Sequence, residues 1–302
     1  MSLRAILRAR GWLLATAAML LLAAVFLPPL PLSRPVVRHM VVFDITQSMN
    51  VIDREIEGAP ASRLAFARHA VIAALGQLPC GSEMGVAIFS NRRTLLLLAP
   101  VEICSNRPEL TQTIRRIDSR MAWEQASVIF RGVHSAISLA AELPQPPTVM
   151  FFTDGQEAPP MKEIPPLDKP PVPVRGTLLG VGGATAQPIP RSDPEGRPIG
   201  WWTADAVMQQ SPYEVGAGNG QEHLSALREP HLKAVAAETG FGYARLDSAE
   251  VLQRAMTASG VVNDEVVRTD LRWIPATLAA LLLAWFYLPA DLFRRPARWR
   301  VN

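Results

Sequence analysis

Residues 39–50 of the chain read HMVVFDITQSMN. The apolar run at the start of this stretch predicts a short buried strand that ends at an aspartate. Asp44, Thr46 and Ser48 follow at alternate positions on what we expect to be one loop. Their carboxylate and hydroxyl groups offer only oxygen donors, which hard cations such as Mg²⁺ prefer. The stretch therefore predicts a metal-binding strand end, with an ordinary helix cap as the simpler alternative.

A second strand end supplies another carboxylate. Residues 148–152 read TVMFF and are followed by Thr153, Asp154 and Gly155. In a parallel α/β sheet the carboxyl ends of the strands meet at one edge, where ligands bind. We therefore expect Asp154 to lie near Asp44.

These residues resemble the metal-ion-dependent adhesion site of the von Willebrand factor A (VWA) family, in which D-x-S-x-S is followed by a threonine and then by T-D-G. Asp44, Thr46 and Ser48 match the first element, with threonine in the first serine position. Asp154 matches the last element. Ser127 matches the middle element, where the family usually has threonine. The resemblance implies that these five residues bind Mg²⁺, or alternatively Mn²⁺ or Ca²⁺.

The surrounding pattern, over residues 37–258, resembles the membrane-anchored bacterial VWA proteins of the aerotolerance (Bat) type. Periodic apolar residues and turn signals mark six further elements. They are predicted as helices over 62–78 and 230–240, and as strands over 85–90, 94–98, 174–181 and 241–246. The resemblance implies an α/β, Rossmann-like VWA fold: a mostly parallel central sheet with one antiparallel edge hairpin, flanked by helices.

Both ends of the chain carry apolar runs, over residues 11–32 and 273–292, with arginines beside them. Since about 20 apolar residues span a bilayer, we predict two transmembrane helices. The first run has no small-x-small cleavage site, which favours an anchor over a cleaved signal peptide. The positive-inside rule then places residues 1–10 and 293–302 in the cytoplasm.

This topology puts the intervening domain, predicted over residues 36–260, outside the inner membrane, in the periplasm of a Gram-negative cell. A proline- and glycine-rich insertion is predicted within it, over about residues 185–229. Trp201 and Trp202 in the insertion either pin it onto the domain, which we favour, or face a partner.

The net charge of +3 gives no argument for nucleic-acid binding, because arginines beside the two apolar runs account for the excess. No zinc-finger spacing or RNA-binding motif is present in the sequence. We therefore expect protein partners and a membrane, and no nucleic acid.

The two cysteines flank a predicted hairpin. Cys80 comes just before the strand that starts at residue 85, and Cys104 just after its partner strand. Antiparallel pairing brings these two ends together, so Cys80 and Cys104 are candidates for a disulfide in an oxidising compartment. Two separate buried thiols are the alternative.

The leading functional hypothesis is a metal-dependent protein-interaction module without catalytic residues. An Asp or Glu of a partner protein would complete the coordination of the metal. The resemblance implies a role with a MoxR-type AAA+ ATPase system and other VWA proteins. That role is the assembly or maturation of an envelope complex, possibly methanol dehydrogenase, which Mxa-type VWA proteins accompany.

Two alternatives stay open. A phosphohydrolase of the haloacid dehalogenase type would use Asp44 as nucleophile, although Thr46 stands where that class has its second aspartate. A VWA scaffold that binds no metal is the other alternative, because Thr46 and Ser127 depart from the family pattern.

Overall fold

The computed structural model describes residues 3–124, 126–161, 163–165, 172–210, 220–259 and 263–288. The chain divides into two compact units. Unit 1 comprises residues 1–34 and 265–302, and unit 2 comprises residues 35–264.

Helices and strands alternate along most of unit 2. Among the described residues the helices are α1 (Leu3–Phe26), α2 (Arg63–Leu75), α3 (Arg107–Arg116), α4 (Ile129–Glu142), α5 (Glu229–Thr239), α6 (Ala249–Ser259) and α7 (Trp273–Tyr287). The strands are β1 (Leu30–Val36), β2 (Arg38–Asp44), β3 (Ile52–Ile56), β4 (Ala59–Ser62), β5 (Glu83–Ser90), β6 (Arg93–Glu102), β7 (Thr148–Thr153), β8 (Gly176–Gly180), β9 (Gln187–Pro188), β10 (Pro190–Ser192), β11 (Pro198–Trp201), β12 (Leu224–Ser225), β13 (Gly242–Arg245) and β14 (Asn263–Thr269).

The central sheet of unit 2 has the strand order β13-β8-β7-β2-β5-β6. Strand β2 pairs in parallel with both β5 and β7, and β6 pairs antiparallel with β5 at one edge. The chain builds the β5–β6 side first and returns to build β7, β8 and β13 on the other side of β2. The crevice between the carboxyl ends of β2 and β7 is therefore a topological switch point, where open α/β sheets bind ligands.

Strand β2 is apolar at consecutive positions because both faces of the sheet are covered. Val41 and Phe43 pack in one core with residues of α2, α3 and α6. Met40 and Val42 pack on the opposite face with residues of α4 and α5. The predicted α/β architecture, with a mostly parallel sheet, an antiparallel edge strand and flanking helices, is confirmed.

Two elements differ from the prediction by three or more residues at one end. The helix predicted over 62–78 is α2 and ends at Leu75, with Gly76 as its C-cap. The edge strand predicted over 94–98 is β6 and runs from Arg93 to Glu102, because its pairing with β5 continues to Glu83. Local apolar runs therefore located these elements but not their ends.

Unit 1 contains α1, α7 and most of a two-stranded sheet of β1 and β14. Residues 30–32, predicted as part of the first membrane span, lie instead in β1. Helix α1 ends at Phe26 because Pro28 and Pro29 follow and cannot continue a helix. Helix α7 ends at Tyr287, and the rest of the second predicted span and the basic tail lie largely outside the described residues.

No helix in the described part of the chain is both long enough and apolar enough to cross a membrane. The two predicted spans stay predictions.

His39 is completely buried at the start of β2. Burial lowers its pKa from 6.5 to about 4, while a backbone contact with Thr148 opposes the shift. Between these two values the unfolded chain binds a proton that the folded protein does not. Stability from this residue is therefore full above pH 6.5 and decreases as the pH falls toward 4.

We expect wild type to lose about 2 kcal/mol relative to His39→Leu between about pH 7.5 and pH 5. Guanidinium unfolding of both proteins at the two pH values measures this difference, and the comparison cancels the carboxylates that titrate in the same range. His69→Leu is the control, because His69 is exposed. An identical pH dependence in wild type and His39→Leu would contradict the expectation.

Candidate functional site

The loop after β2 is organised around a buried carboxylate. Asp44 is 0% exposed, and its Oδ1 accepts hydrogen bonds from the backbone N–H of Thr46 (2.9 Å) and from Thr46 Oγ1 (2.6 Å). Because the hydroxyl proton of Thr46 points at Asp44, the lone pairs of Oγ1 point away from it and can bind a cation. A 3₁₀ turn over Gln47–Asn50 then carries Ser48, whose Oγ lies 3.5 Å from Thr46 Oγ1.

The neighbouring strand end supplies a hydrogen bond to the second oxygen of Asp44. Thr153, the last residue of β7, donates from Oγ1 to Asp44 Oδ2 at 2.6 Å. Burial raises the pKa of Asp44 to about 7, and the negative charge of Asp154 adds to the shift. A cation bound beside Asp44 would favour its ionised form and relieve this repulsion.

Ser127 reaches the site from a third loop, before α4. Its backbone is fixed by two hydrogen bonds with Ala158: Ser127 N to Ala158 O at 2.8 Å and Ala158 N to Ser127 O at 2.7 Å. The side chain is 3% exposed, and its Oγ has no hydrogen-bond partner among the described residues. Thr46, Ser48 and Ser127 line one cavity of about 390 Å³. The structure thus brings the three predicted hydroxyls together.

Asp154 follows β7 and is also 0% exposed. Its Oδ2 accepts from Arg63 Nη1 (2.6 Å) and Ser225 Oγ (2.9 Å), and its Oδ1 accepts from the backbone N–H of Gln156 (3.0 Å). Asp154 therefore lies beside Asp44, as predicted, but it is paired with an arginine that the sequence analysis did not include in the site.

Arg63 is the first residue of α2 and is 0% exposed. Besides Asp154 it contacts Asp53 of β3, with Nη2 2.7 Å from Oδ2. Burial alone would lower the pKa of Arg63, but the charges and hydrogen bonds of Asp154 and Asp53 raise it above its ordinary value. The available signal in the sequence was a charged residue at the first position of a mostly apolar helix.

The insertion contacts the metal-site loop directly. Trp202 donates from Nε1 to Oε1 of Gln47, the residue between Thr46 and Ser48. Arg191 lies over the Trp202 ring at 4.9 Å. Trp202 thus pins the insertion onto the domain, as favoured from the sequence, whereas Trp201 is 64% exposed.

The donor set fits a hard divalent cation. The hydroxyls of Thr46, Ser48 and Ser127 line the cavity, so they are the groups placed to contact the ion directly. The oxygens of Asp44 and Asp154 already accept hydrogen bonds from the protein. The two carboxylates supply negative charge next to those hydroxyls, and water or an incoming carboxylate would complete an oxygen shell. The unpartnered Ser127 Oγ is the observation in this structure that most favours a ligand here.

The arrangement of Asp44 does not favour a phosphohydrolase. Asp44 is buried, and both of its oxygens are engaged by Thr46 and Thr153, so it does not present a free oxygen for nucleophilic attack.

Comparisons with known proteins give one family model and several solved structures to which this chain is similar. Residues 39–156 match the model of the von Willebrand factor type A domain. Solved structures with similar folds include an aerotolerance-related membrane protein from Bacteroides fragilis (18% identity, covering 74% of this chain and 98% of that one, TM-score 0.47). BatB from Bacteroides thetaiotaomicron gives 18% identity, the same two coverages and a TM-score of 0.48.

An uncharacterized membrane-spanning protein from Vibrio fischeri is also similar, at 18% identity, with 73% of this chain and 96% of that chain covered and a TM-score of 0.30. No curated protein matches the sequence significantly. Likenesses at this identity say nothing about activity or partners. The family match, by contrast, spans β2, α2, β5, β6, α4 and β7 and includes all five predicted site residues, and it identifies residues 39–156 as a von Willebrand factor type A domain.

Proposed function

We propose that the protein is a metal-dependent protein-interaction module. Mg²⁺, or Mn²⁺ or Ca²⁺ in its place, would be held directly by the hydroxyls of Thr46, Ser48 and Ser127. Asp44 and Asp154 would act through those hydroxyls or through water. The observation that carries the proposal is the buried Ser127 Oγ, which has no partner among the described residues and faces the same cavity as the other two hydroxyls.

The charge of the site favours an anionic ligand. Asp44 and Asp154 supply two negative charges, and Arg63 offsets part of them through its contact with Asp154. A divalent ion at the three neutral hydroxyls would have no anionic group among its direct protein ligands, and an Asp or Glu side chain from a partner protein can supply one. The metal and the partner carboxylate would then bind as one unit.

The resemblance to membrane-anchored VWA proteins supports a more specific role. We propose that residues 11–32 and 273–292 anchor the domain on the outer side of the inner membrane. There it would act with a MoxR-type ATPase system in the assembly or maturation of an envelope complex, with methanol dehydrogenase as one candidate. Because such an ATPase is cytoplasmic, the protein that contacts the metal is expected to be a periplasmic client.

Metal addition is the direct test. In thermal unfolding of the full chain in detergent micelles, Mn²⁺ at about 100 times its dissociation constant is expected to stabilise wild type by about 3 kcal/mol. Ser127→Ala and Asp44→Asn are expected to lose most of this effect, because each removes a ligand or the charge behind the ligands. Isothermal titration with Mn²⁺ and Mg²⁺ gives the affinities.

Ser138→Ala is the matched control, because Ser138 lies on α4 away from the three loops and is partly exposed. It should respond to metal as wild type does. Equal stabilisation of wild type and Ser127→Ala would exclude Ser127 as a ligand. A wild-type protein that no divalent ion stabilises would favour the metal-free scaffold.

A further inference from the structure

The cavity beside the three hydroxyls has a second, chemically different wall. On the side of the insertion its surface is mostly apolar, with Glu222 as the charged residue that lines it. The apolar residues of this wall come from the segment that the sequence predicts as an insertion. They are Ile189, Trp202, Ala206, Val207 and Met208. A metal site that needed only to reach a carboxylate would not require such a wall.

The apolar wall is held in place by its own contacts. The backbone N–H of Trp202 donates to Ile189 O at 3.0 Å, and Ile189 N donates to His223 O at 3.2 Å. The Trp202 side chain is fixed by its hydrogen bond to Gln47 and by Arg191 over its ring. The cavity is therefore preformed, which lowers the entropic cost of binding.

A second buried polar group without a partner faces the cavity. Gln156 is 4% exposed, and its Nε2 donates to the backbone oxygens of Glu222 (3.1 Å) and Leu224 (3.2 Å). Because both of these partners are acceptors, the amide orientation is fixed and Oε1 is the atom left over. Oε1 has no hydrogen-bond partner in the described part of the chain. It can accept a hydrogen bond from a ligand N–H.

The size of the cavity limits what it can hold. About 390 Å³ lies near the lower end of the range of about 300–1,000 Å³ that small-ligand sites occupy. This volume holds one large side chain next to the metal-bound carboxylate, and not a long segment.

We propose that the insertion makes this cavity a recognition site for two adjacent residues of a partner protein, an Asp or Glu and a large apolar residue. The acidic side chain contacts the metal, the peptide N–H donates to Gln156 Oε1, and the apolar side chain packs against Trp202 and Val207. The inference rests on the proposed function for its acidic half and on the insertion for its apolar half.

The test uses the full chain in detergent micelles with Mn²⁺ and acetylated, amidated tetrapeptides, with isothermal titration as the readout. Ala-Asp-Trp-Ala is expected to bind about tenfold more tightly than Ala-Asp-Ala-Ala, because one large apolar group is buried. Trp202→Ala and Val207→Asn are expected to lose this preference. Trp201→Ala is the matched control and should keep it, because Trp201 is exposed and does not line the cavity.

Equal affinity for the two peptides in wild type would overturn the inference, and so would a preference that survives in both cavity variants. A protein that Mn²⁺ stabilises but that binds neither peptide would also overturn it. A wild-type protein that Mn²⁺ does not stabilise would contradict the proposed function, and this result is distinguishable from the outcomes above. In that case the peptides Ala-Asn-Trp-Ala and Ala-Asn-Ala-Ala test the apolar part of the inference alone. A preference for the tryptophan peptide that Trp202→Ala removes would support the apolar recognition. Equal affinity for the two peptides would overturn it.

Discussion

Replacing Arg63 by methionine is expected to lower the free energy of unfolding by about 3–5 kcal/mol, because it leaves two carboxylates without their counter-charge. The guanidinium group is 0% exposed and contacts Asp154 at 2.6 Å and Asp53 at 2.7 Å. It also donates to Ser225 Oγ at 2.6 Å and to Ser225 O at 3.1 Å. Methionine keeps an unbranched stem that reaches the position of Nε, so the loss reports on the guanidinium charge and its hydrogen bonds more than on the packing of the stem.

Guanidinium unfolding of the full chain in detergent micelles measures this loss. Arg68→Met is the matched control on the same helix. Arg68 donates to two backbone oxygens, those of Arg115 and Ile117, and its loss is expected to cost about 1 kcal/mol.

Arg63→Lys gives a second reading if the methionine variant is too unstable to purify. Lysine keeps the charge but cannot bind both carboxylates with a planar fork, so we expect an intermediate loss. A loss of less than about 1 kcal/mol for Arg63→Met would show that the two carboxylates are satisfied without the arginine.

The strand ends of the site could be predicted from the sequence because each is marked by a local pattern. An apolar run followed by Asp44, and another followed by Asp154, together with the parallel topology, place both carboxylates at one edge of the sheet. Thr46 and Ser48 follow from their spacing on the same loop. Ser127 was placed by resemblance alone, and the structure brings it to the same cavity.

The charged network under the site could not be predicted in the same way. Arg63 meets Ser225 across a separation of 162 residues and Asp154 across 91. Periodicity reports which face of an element is apolar, and it carries no information on which distant side chains meet. The burial of Arg63 depends on β3 and β12 both reaching the start of α2, which only the tertiary structure shows.

The contacts of the insertion could not be predicted from the sequence either. Its prolines and glycines predict an insertion, but the composition does not show which part of the domain it covers. The hydrogen bond between Trp202 and Gln47 places the insertion beside the metal-site loop, where the insertion forms one wall of the candidate site.

Removing the bond between Cys80 and Cys104 is expected to lower the free energy of unfolding by about 3 kcal/mol in the chain-entropy model. The structure joins the two cysteines in a disulfide, with Cα atoms 5.3 Å apart and a sequence separation of 24. Wild type should lose stability in dithiothreitol, and Cys80→Ser/Cys104→Ser should be equally destabilised and insensitive to the reductant. A wild type whose unfolding dithiothreitol leaves unchanged would contradict this expectation.

The state of this disulfide in living cells also tests the predicted topology, because such bonds persist in the periplasm and are rare in the cytoplasm. Cells are quenched with acid, and the denatured, unreduced protein is labelled with a thiol-reactive maleimide. A domain outside the inner membrane should show no free thiol before reduction and two after it. Two free thiols before reduction would place the domain in the cytoplasm, on the same side as the proposed ATPase. The client that offers its carboxylate to the metal would then have to be sought in the cytoplasm as well.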